Sequence, residues 1–236
     1  MIGLSTTAIG MRPIEECIQI FRTLQPHLSL DFLELAIGTN CDLSLIPPGI
    51  PLLLHDRCLS DKRGRIPFSL LATETWAPYG ACAKDRNVLA MSVHPPLRRG
   101  IPWQIVLERR QALEEYLDVP VLLEVMPSEA YWCSHSCLPS DNFPLLLDIS
   151  HINIWYRGSV DAVRRSFDML LPRARGIHLS HNDGREDSHD LIPKDIWFEK
   201  EITAWGKGLL VTYESLPVHF AEHERLDKQK KKRSLR

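Results

Sequence analysis

The sequence predicts a (β/α)8 barrel. Three observations carry that reading: eight short apolar runs recur along the chain, helical patterns lie between most of them, and no linker marks a second globular unit. The runs are Ile2–Leu4, Phe32–Ile37, Pro51–Leu54, Val88–Val93, Val119–Leu123, Pro144–Leu147, Gly176–Leu179 and Leu209–Thr212. Most are too short for helices and lack strict alternation, which suits strands buried on both faces of a parallel sheet. An open doubly wound sheet is the rival architecture. That fold usually has a Gly-rich first turn, and none follows Ile2–Leu4.

Between the runs, Pro13 to Arg22 places apolar residues at helical spacing behind a starting proline. Pro102 to Leu117 repeats the pattern, with Ile105, Val106, Leu113 and Leu117 on or near one face. Ser159 is the predicted cap of a third helix, along which Val160, Val163, Phe167 and Leu170-Leu171 line up. A fourth is predicted from Pro193 through Ile196, Trp197 and Ile202. The second and fifth βα units are shortened. Gly38 to Gly49 is too short for a regular helix, and Met126 to Asn142 reads as loop with at most one or two turns. The expected organisation is one barrel over residues 1–226, followed by a basic tail over 227–236. The tail reads as a solvated end, with a nucleic-acid or peptide contact as the alternative.

With 236 residues, 44% of them hydrophobic and 25% charged, the chain can build a sizeable core, and disorder and collagen-like structure are excluded. Lys+Arg of 28 against Asp+Glu of 30 leaves a net charge of −2, so no global attraction to nucleic acid or anionic membrane is expected. No stretch reaches the ~18 apolar residues of a membrane span. Met1 to Thr7 lacks a basic n-region, so no signal or transit peptide is expected and the predicted location is the cytoplasm. The six cysteines are irregularly spaced and read as reduced thiols. Cys133-Ser-His-Ser-Cys137 reads as a loop with two bystander thiols, against a zinc clip or a redox pair.

In a barrel of this type, catalytic groups sit at the C-terminal strand ends. The second run carries Glu34, the third ends in His55 and the fourth in His94. The fifth ends in Glu124, and the sixth in Asp148 with His151 three residues on. The seventh carries His178 and His181, followed by Asp183, Asp187 and His189; the eighth ends in Glu214. Singly, each has an ordinary reading, a hydrogen-bonded loop histidine or a carboxylate capping the next helix; Glu34 reads as such a cap or as a partner of a ligand. Together, six of the chain's ten histidines share one register with the carboxylates. So many carboxylates in one mouth repel unless divalent cations compensate them, and imidazole and carboxylate suit such ions. Asp148-Ile-Ser-His151 sets an imidazole about one turn beyond a strand-end carboxylate, and Asp187-Ser-His189 sets two ligands on the same side of a loop.

This ordered set resembles the xylose-isomerase-like barrel superfamily, which includes endonuclease IV and sugar-phosphate isomerases. Glu124, Asp148, His178 and Glu214 match the single-metal isomerase set, and His55, His94, His151, Asp187 and His189 match the ligands added in trinuclear members. Several strings are similar to the DUF692 family of multinuclear non-haem iron-dependent oxidative enzymes (MNIO). They are Gly176-Ile-His-Leu-Ser-His181, Asp187-Ser-His-Asp-Leu-Ile-Pro-Lys-Asp-Ile-Trp197, His55-Asp-Arg-Cys-Leu-Ser60, and Ile101-Pro-Trp leading to Val121-Leu-Leu-Glu124. The chain departs from that family at Val125, where the family has Asn, and at Asp148-Ile-Ser-His151, which is closer to the endonuclease IV form. The Gly-rich turn that follows the endonuclease D-x-H is absent.

The resemblance implies two or three divalent ions, iron first with zinc or manganese as alternatives. It implies oxidative modification of a peptide substrate, with a substrate-presenting partner protein. An endonuclease IV-like phosphodiesterase, the one reading with a nucleic-acid partner, and a single-metal sugar-phosphate isomerase or epimerase are the alternatives. Glu124, Asp148, His178 and Glu214 are the expected catalytic set. Asp148, His178 and Glu214 are expected to form one centre, His151, Asp187 and His189 a second, and His55 with His94 a third bridged by Glu124. Glu34, His181, Asp183, Arg98, Arg157 and Trp155 are candidate substrate contacts or partners of the ligands; for the arginines and the tryptophan, ordinary surface or packing roles are the alternative.

Overall fold

The computed structural model describes residues 1–10, 12–36, 43–61, 64–135, 138 and 143–220. The strands are β1 (Ile2–Ser5), β2 (Phe32–Leu35), β3 (Leu52–His55), β4 (Ser60–Asp61), β5 (Gly64–Arg65), β6 (Val88–Val93), β7 (Val121–Glu124), β8 (Leu145–Asp148), β9 (Ala174–Leu179) and β10 (Leu210–Tyr213). Eight of them close into a parallel barrel in chain order, and β10 pairs with β1 to seal it. β4 and β5 form a separate antiparallel hairpin in the loop after β3. The predicted barrel is thus the observed one. The expected basic tail, the end of the expected domain and Cys137 lie outside the described residues; Cys133 is a buried thiol.

Strand register explains why the runs show no alternation. Phe32, Leu53, Ala90, Leu122 and Leu146 point into the barrel and form an inner cluster. Their neighbours Leu33, Leu52, Leu54, Met91, Leu123, Leu147 and Val211 belong to the larger core between strands and helices. Both faces are therefore apolar, as a parallel sheet requires. Gly176 completes the inner layer by having no side chain. A Cβ there would stand 3.0 Å from Leu122 Cδ1 and 3.2 Å from Leu146 Cδ1.

Two residues further along each strand the inward positions turn polar. Phe32 is followed by Glu34, Leu53 by His55, Leu122 by Glu124, Leu146 by Asp148 and Gly176 by His178, all of them buried. The period of two places every one of these on the same side of the apolar floor. Several strands end one residue later than the apolar runs, so His55, Glu124 and Asp148 are strand residues.

The helices are α1 (Thr6–Ile9), α2 (Ile14–Leu28), α3 (Ala77–Asp85), α4 (Trp103–Leu117), α5 (Ile149–Trp155), α6 (Val160–Leu170) and α7 (Ile202–Trp205). α2 buries Ile14, Cys17, Ile18, Phe21 and Leu24, a stripe at helical spacing, and stops at Ser29 in the left-handed conformation. Ile105 of α4 and Val160 of α6 face outward, whereas Val106, Leu113, Leu117, Val163, Phe167 and Leu170 are buried. Ser159 occupies the cap position of α6 with its carbonyl, and its side chain makes no capping bond. The helix predicted from Pro193 is a series of turns up to α7; Asp195 takes φ 60, which breaks a right-handed helix. α3 is absent from the predicted helices because Pro78 and Gly80 mask its pattern, yet Tyr79 and Cys82 are buried. Among the described residues, no α-helix follows β2 or β7 before the next barrel strand, as the shortened units imply. No described helix is long and apolar enough to cross a membrane.

Candidate metal centre

The C-terminal mouth of the barrel encloses a cavity of about 230 Å³ lined by Thr7, Ala36, His55, His94, Glu124, Asp148, His151, Asp187, His189 and Glu214. His178 lies against it, fully buried, with Nδ1 3.3 Å from Glu214 Oε2. All nine residues singled out from the sequence as ligands are therefore brought together.

Local structure fixes each donor. Asp148 ends β8 and caps α5: its Oδ1 accepts from Ser150 N–H at 2.6 Å and His151 N–H at 3.1 Å. The capping role considered for Glu34 thus falls to Asp148. Glu34 is instead a fully buried partner of His178, with Oε2 2.9 Å from Nε2. A carboxylate can only accept, so Nε2 carries a proton, and Nδ1, turned to Glu214, is the nitrogen a metal ion would take by displacing its proton. His151 Nδ1 lies 2.9 Å from the Val125 carbonyl, which turns Nε2 toward Asp187 Oδ2 at 3.3 Å and Asp148 Oδ2 at 3.7 Å. His189 Nε2 reaches the same Asp187 oxygen at 3.3 Å, and Asp187 Oδ1 is held by the Ser150 hydroxyl at 2.8 Å. His55 Nε2 and His94 Nε2 approach Glu124 Oε2 at 3.4 and 3.6 Å.

Three sets of donor atoms lie within 4.8 Å of one another: His55, His94 and Glu124; Glu124, Asp148 and His178; His55, His178 and Glu214. Of the expected centres, that of His55, His94 and Glu124 is among them, whereas the trios Asp148, His178 and Glu214 and His151, Asp187 and His189 are not; His178 is shared between one set with Asp148 and another with Glu214. Glu124, His55 and His178 each belong to two sets. Glu124 Oε2, Glu214 Oε2, His178 Nδ1 and His189 Nδ1 are buried and have no hydrogen-bond partner among the described residues. Such atoms cost about 1–3 kcal/mol each when unsatisfied. A divalent cation among them removes that cost, so the residues fit a metal.

The electrostatics show how tightly the groups are coupled. Burial alone lowers the affinity of His55 and His178 for a proton; Asp56 and Glu124 for the first, Glu214 and Glu34 for the second, override it and raise both well above the ordinary imidazole range. His151 is likewise raised to about 10 and His189 to about 9 against the pull of burial, by Asp148 and Asp187 for the first and by Asp187 and Glu214 for the second. Burial, with the neighbouring Glu214 and Glu124 carboxylates, pushes Asp148 up to about 6 despite His151. Burial also opposes ionisation of Glu124 and Glu214, yet the surrounding imidazoles hold both below the usual carboxylate range.

The remaining candidates do not line this cavity. His181 faces a separate cavity of about 500 Å³ with Asn182, Asp183 and Trp197, because the chain turns outward after β9. Asp183 is exposed, and its Oδ1 accepts from Arg185 N–H at 3.0 Å. Arg98 lies over the Trp132 ring at 5.1 Å, Trp155 packs near His135 at 5.8 Å, and Arg157 is exposed with φ 49. Sequence reasoning missed Asp56, which is buried between His55 and His94. Its signal is its place directly after His55. A groove of about 410 Å³, lined by Arg57, Phe68, Leu97, Met126 and Tyr131, begins at Asp56 and His94 and runs outward.

No family model matches the chain, and no curated protein matches it. Solved structures do. A D-tagatose 3-epimerase-like protein superposes with a TM-score of 0.55 at 14% identity, covering 97% of this chain and 96% of that one. The IolI protein with a bound zinc atom gives 0.51 at 11% identity, over 94% and 91%. An uncharacterised protein from Parabacteroides distasonis gives 0.53 at 14% identity, over 91% and 90%. At these identities the likeness establishes the fold, a (β/α)8 barrel. It lends no support to the DUF692 branch of the resemblance.

Proposed function

We propose that this chain is a divalent-metal-dependent enzyme that holds two or three ions at the barrel mouth and hydrolyses a phosphate ester. The observation that carries the reading is the convergence of nine nitrogen and oxygen ligands in which Glu124, His55 and His178 each serve two donor sets. Four carboxylates line the cavity, Glu124, Asp148, Asp187 and Glu214. Two divalent ions would balance these four, and a third the buried Glu34 and Asp56 carboxylates beside the ligands, so that open positions on the ions are left for an anionic substrate. Ions so held polarise a phosphoryl oxygen and supply a nucleophilic hydroxide at neutral pH. The chain's own residues do the rest. Glu34 locks the His178 ring, and the Asp148 cap fixes one carboxylate oxygen. Arg57 in the adjoining groove offers a cation to the anionic part of the substrate.

Zinc is the proposed metal, by analogy with the zinc-bound IolI protein of the same fold. A second reading, sugar-phosphate isomerisation or epimerisation, draws on the likeness to a D-tagatose 3-epimerase-like protein. It would use Glu124, Asp148, His178 and Glu214 and leave the rim ligands without a task. Iron-dependent oxidation of a peptide uses ligands that suit iron equally well, and rests on the local strings alone. The experiment is metal analysis of purified protein, then assays of the zinc form under anaerobic conditions with phosphodiesters, abasic DNA and sugar phosphates. Chelator-sensitive ester cleavage, abolished by Glu124→Gln, is the expected result. Sugar-phosphate turnover without cleavage would establish the second reading. Inert zinc protein, with an Fe(II) form consuming O2 only beside a peptide, would restore the oxidative one.

A further inference from the structure

We infer that Asp56 is a positioning residue that clasps His94 and flanks His55, so that both imidazoles present Nε2 to the metal cluster. The inference rests on the metal-dependent reading above. Asp56 Oδ1 stands 2.8 Å from His94 Nδ1, and Oδ2 accepts the His94 backbone N–H at 3.3 Å. One carboxylate thus grips the ring and the main chain of the same residue, which fixes the side-chain torsions between them. The grip is anchored, because Asp56 N–H donates to the Ser92 carbonyl at 3.0 Å.

Asp56 Oδ1 also lies 3.1 Å from His55 Nδ1, off that ring's donor direction, so it restrains His55 less than His94. The two rings sit 4.6 Å apart between centroids. A carboxylate facing both Nδ1 atoms favours the Nδ1–H tautomer and leaves both Nε2 lone pairs for a cation beside Glu124 Oε2. His94 needs this restraint. Its side chain is 27% exposed where that of His55 is 5%, and it borders the outer groove, so packing encloses it less.

The test uses the full chain loaded with zinc or cobalt(II), comparing wild type with Asp56→Ala and Asp56→Asn. Asp56→Ala is expected to weaken binding of one ion about 10–100-fold, the range for loss of such a partner, and to leave the other ions bound to a chain that still folds cooperatively, with a lowered apo-protein melt because buried partners of Asp56 lose their contact. Asp56→Asn retains an acceptor for one N–H and should fall between. The cobalt d–d spectrum should change in both. Long-range 1H–15N spectra of wild-type zinc protein should show His94 as Nδ1–H with zinc on Nε2. Zinc on His94 Nδ1, or full metal content with an unchanged cobalt spectrum in Asp56→Ala, would overturn the inference. A variant that does not fold leaves the wild-type spectra to decide. Wild-type protein that takes up no metal overturns the inference together with the metal reading; wild type that does, with an indifferent Asp56→Ala, overturns the inference alone.

Discussion

The two ends of this barrel are made by the same eight strands and carry opposite chemistry. The N-terminal end opens into a cavity of about 570 Å³, floored by Leu89, Ala90, Leu122 and Leu210 and edged by Arg173, Arg175 and Lys207. The C-terminal end holds a cavity of about 230 Å³, less than half that volume, in which ionisable side chains face one another at 3–4 Å. The larger space gathers no set of metal-ligating groups among the described residues. Volume therefore does not locate the site; the direction of the strands does. Two residues along each strand separate the apolar floor from the ligands, and that short step carries the division between stability and chemistry.

The sharpest way to break the comparison is to put a charge on the wrong side of it. Leu53→Asp, within the fully buried inner cluster, is expected to abolish a cooperative thermal transition, because an unpaired buried charge costs several kcal/mol. Leu147→Asp, in the outer core, should do the same. Soluble protein with native circular dichroism from both variants would overturn the division. Next in size is Glu124→Gln, which keeps the shape of a buried residue but removes charge from two donor sets. Loss of at least one bound ion per chain is expected, with about 100-fold or more lost in kcat, comparable to other preorganised electrostatic contacts, and the apo fold retained. His189→Ala should affect metal content less, since His189 belongs to none of the three tightest sets.

pH sharpens the comparison more gently. His151 and His189 are held at about 10 and about 9 without metal, above the ordinary imidazole value. Their ion pairs therefore stabilise the metal-free protein fully below the unfolded imidazole pKa and are lost as pH rises through 9 to 10. A metal ion must displace those same protons. Added zinc should raise the melting temperature more at pH 8 than at pH 6, as differential scanning fluorimetry would record; equal shifts would show that these imidazoles are not ligands. The smallest effect is expected at the other end. Lys207→Ala should change neither zinc content nor stability by more than about 0.5 kcal/mol.

By itself the sequence determined the barrel and the register of its polar ends. Apolar runs without alternation and too short for helices suit strands covered on both faces, and a period of two then places Glu34, His55, Glu124, Asp148 and His178 on one side of the floor. Local chemistry that spans a few residues was equally legible: the stripe of α2, the shortened units after β2 and β7, and the Asp187 and His189 pair. Tertiary structure alone decided which ligand meets which. Glu34 reaches His178 across 144 positions only because barrel closure makes β2 and β9, separated in the sheet by β1 and β10, face each other across the interior. The same closure splits Asp148 from Glu214 around His178, and turns Asp56 from an ordinary loop carboxylate into a clasp on His94. Sequence spacing measures distance along the chain, and those pairings depend on distance across the mouth.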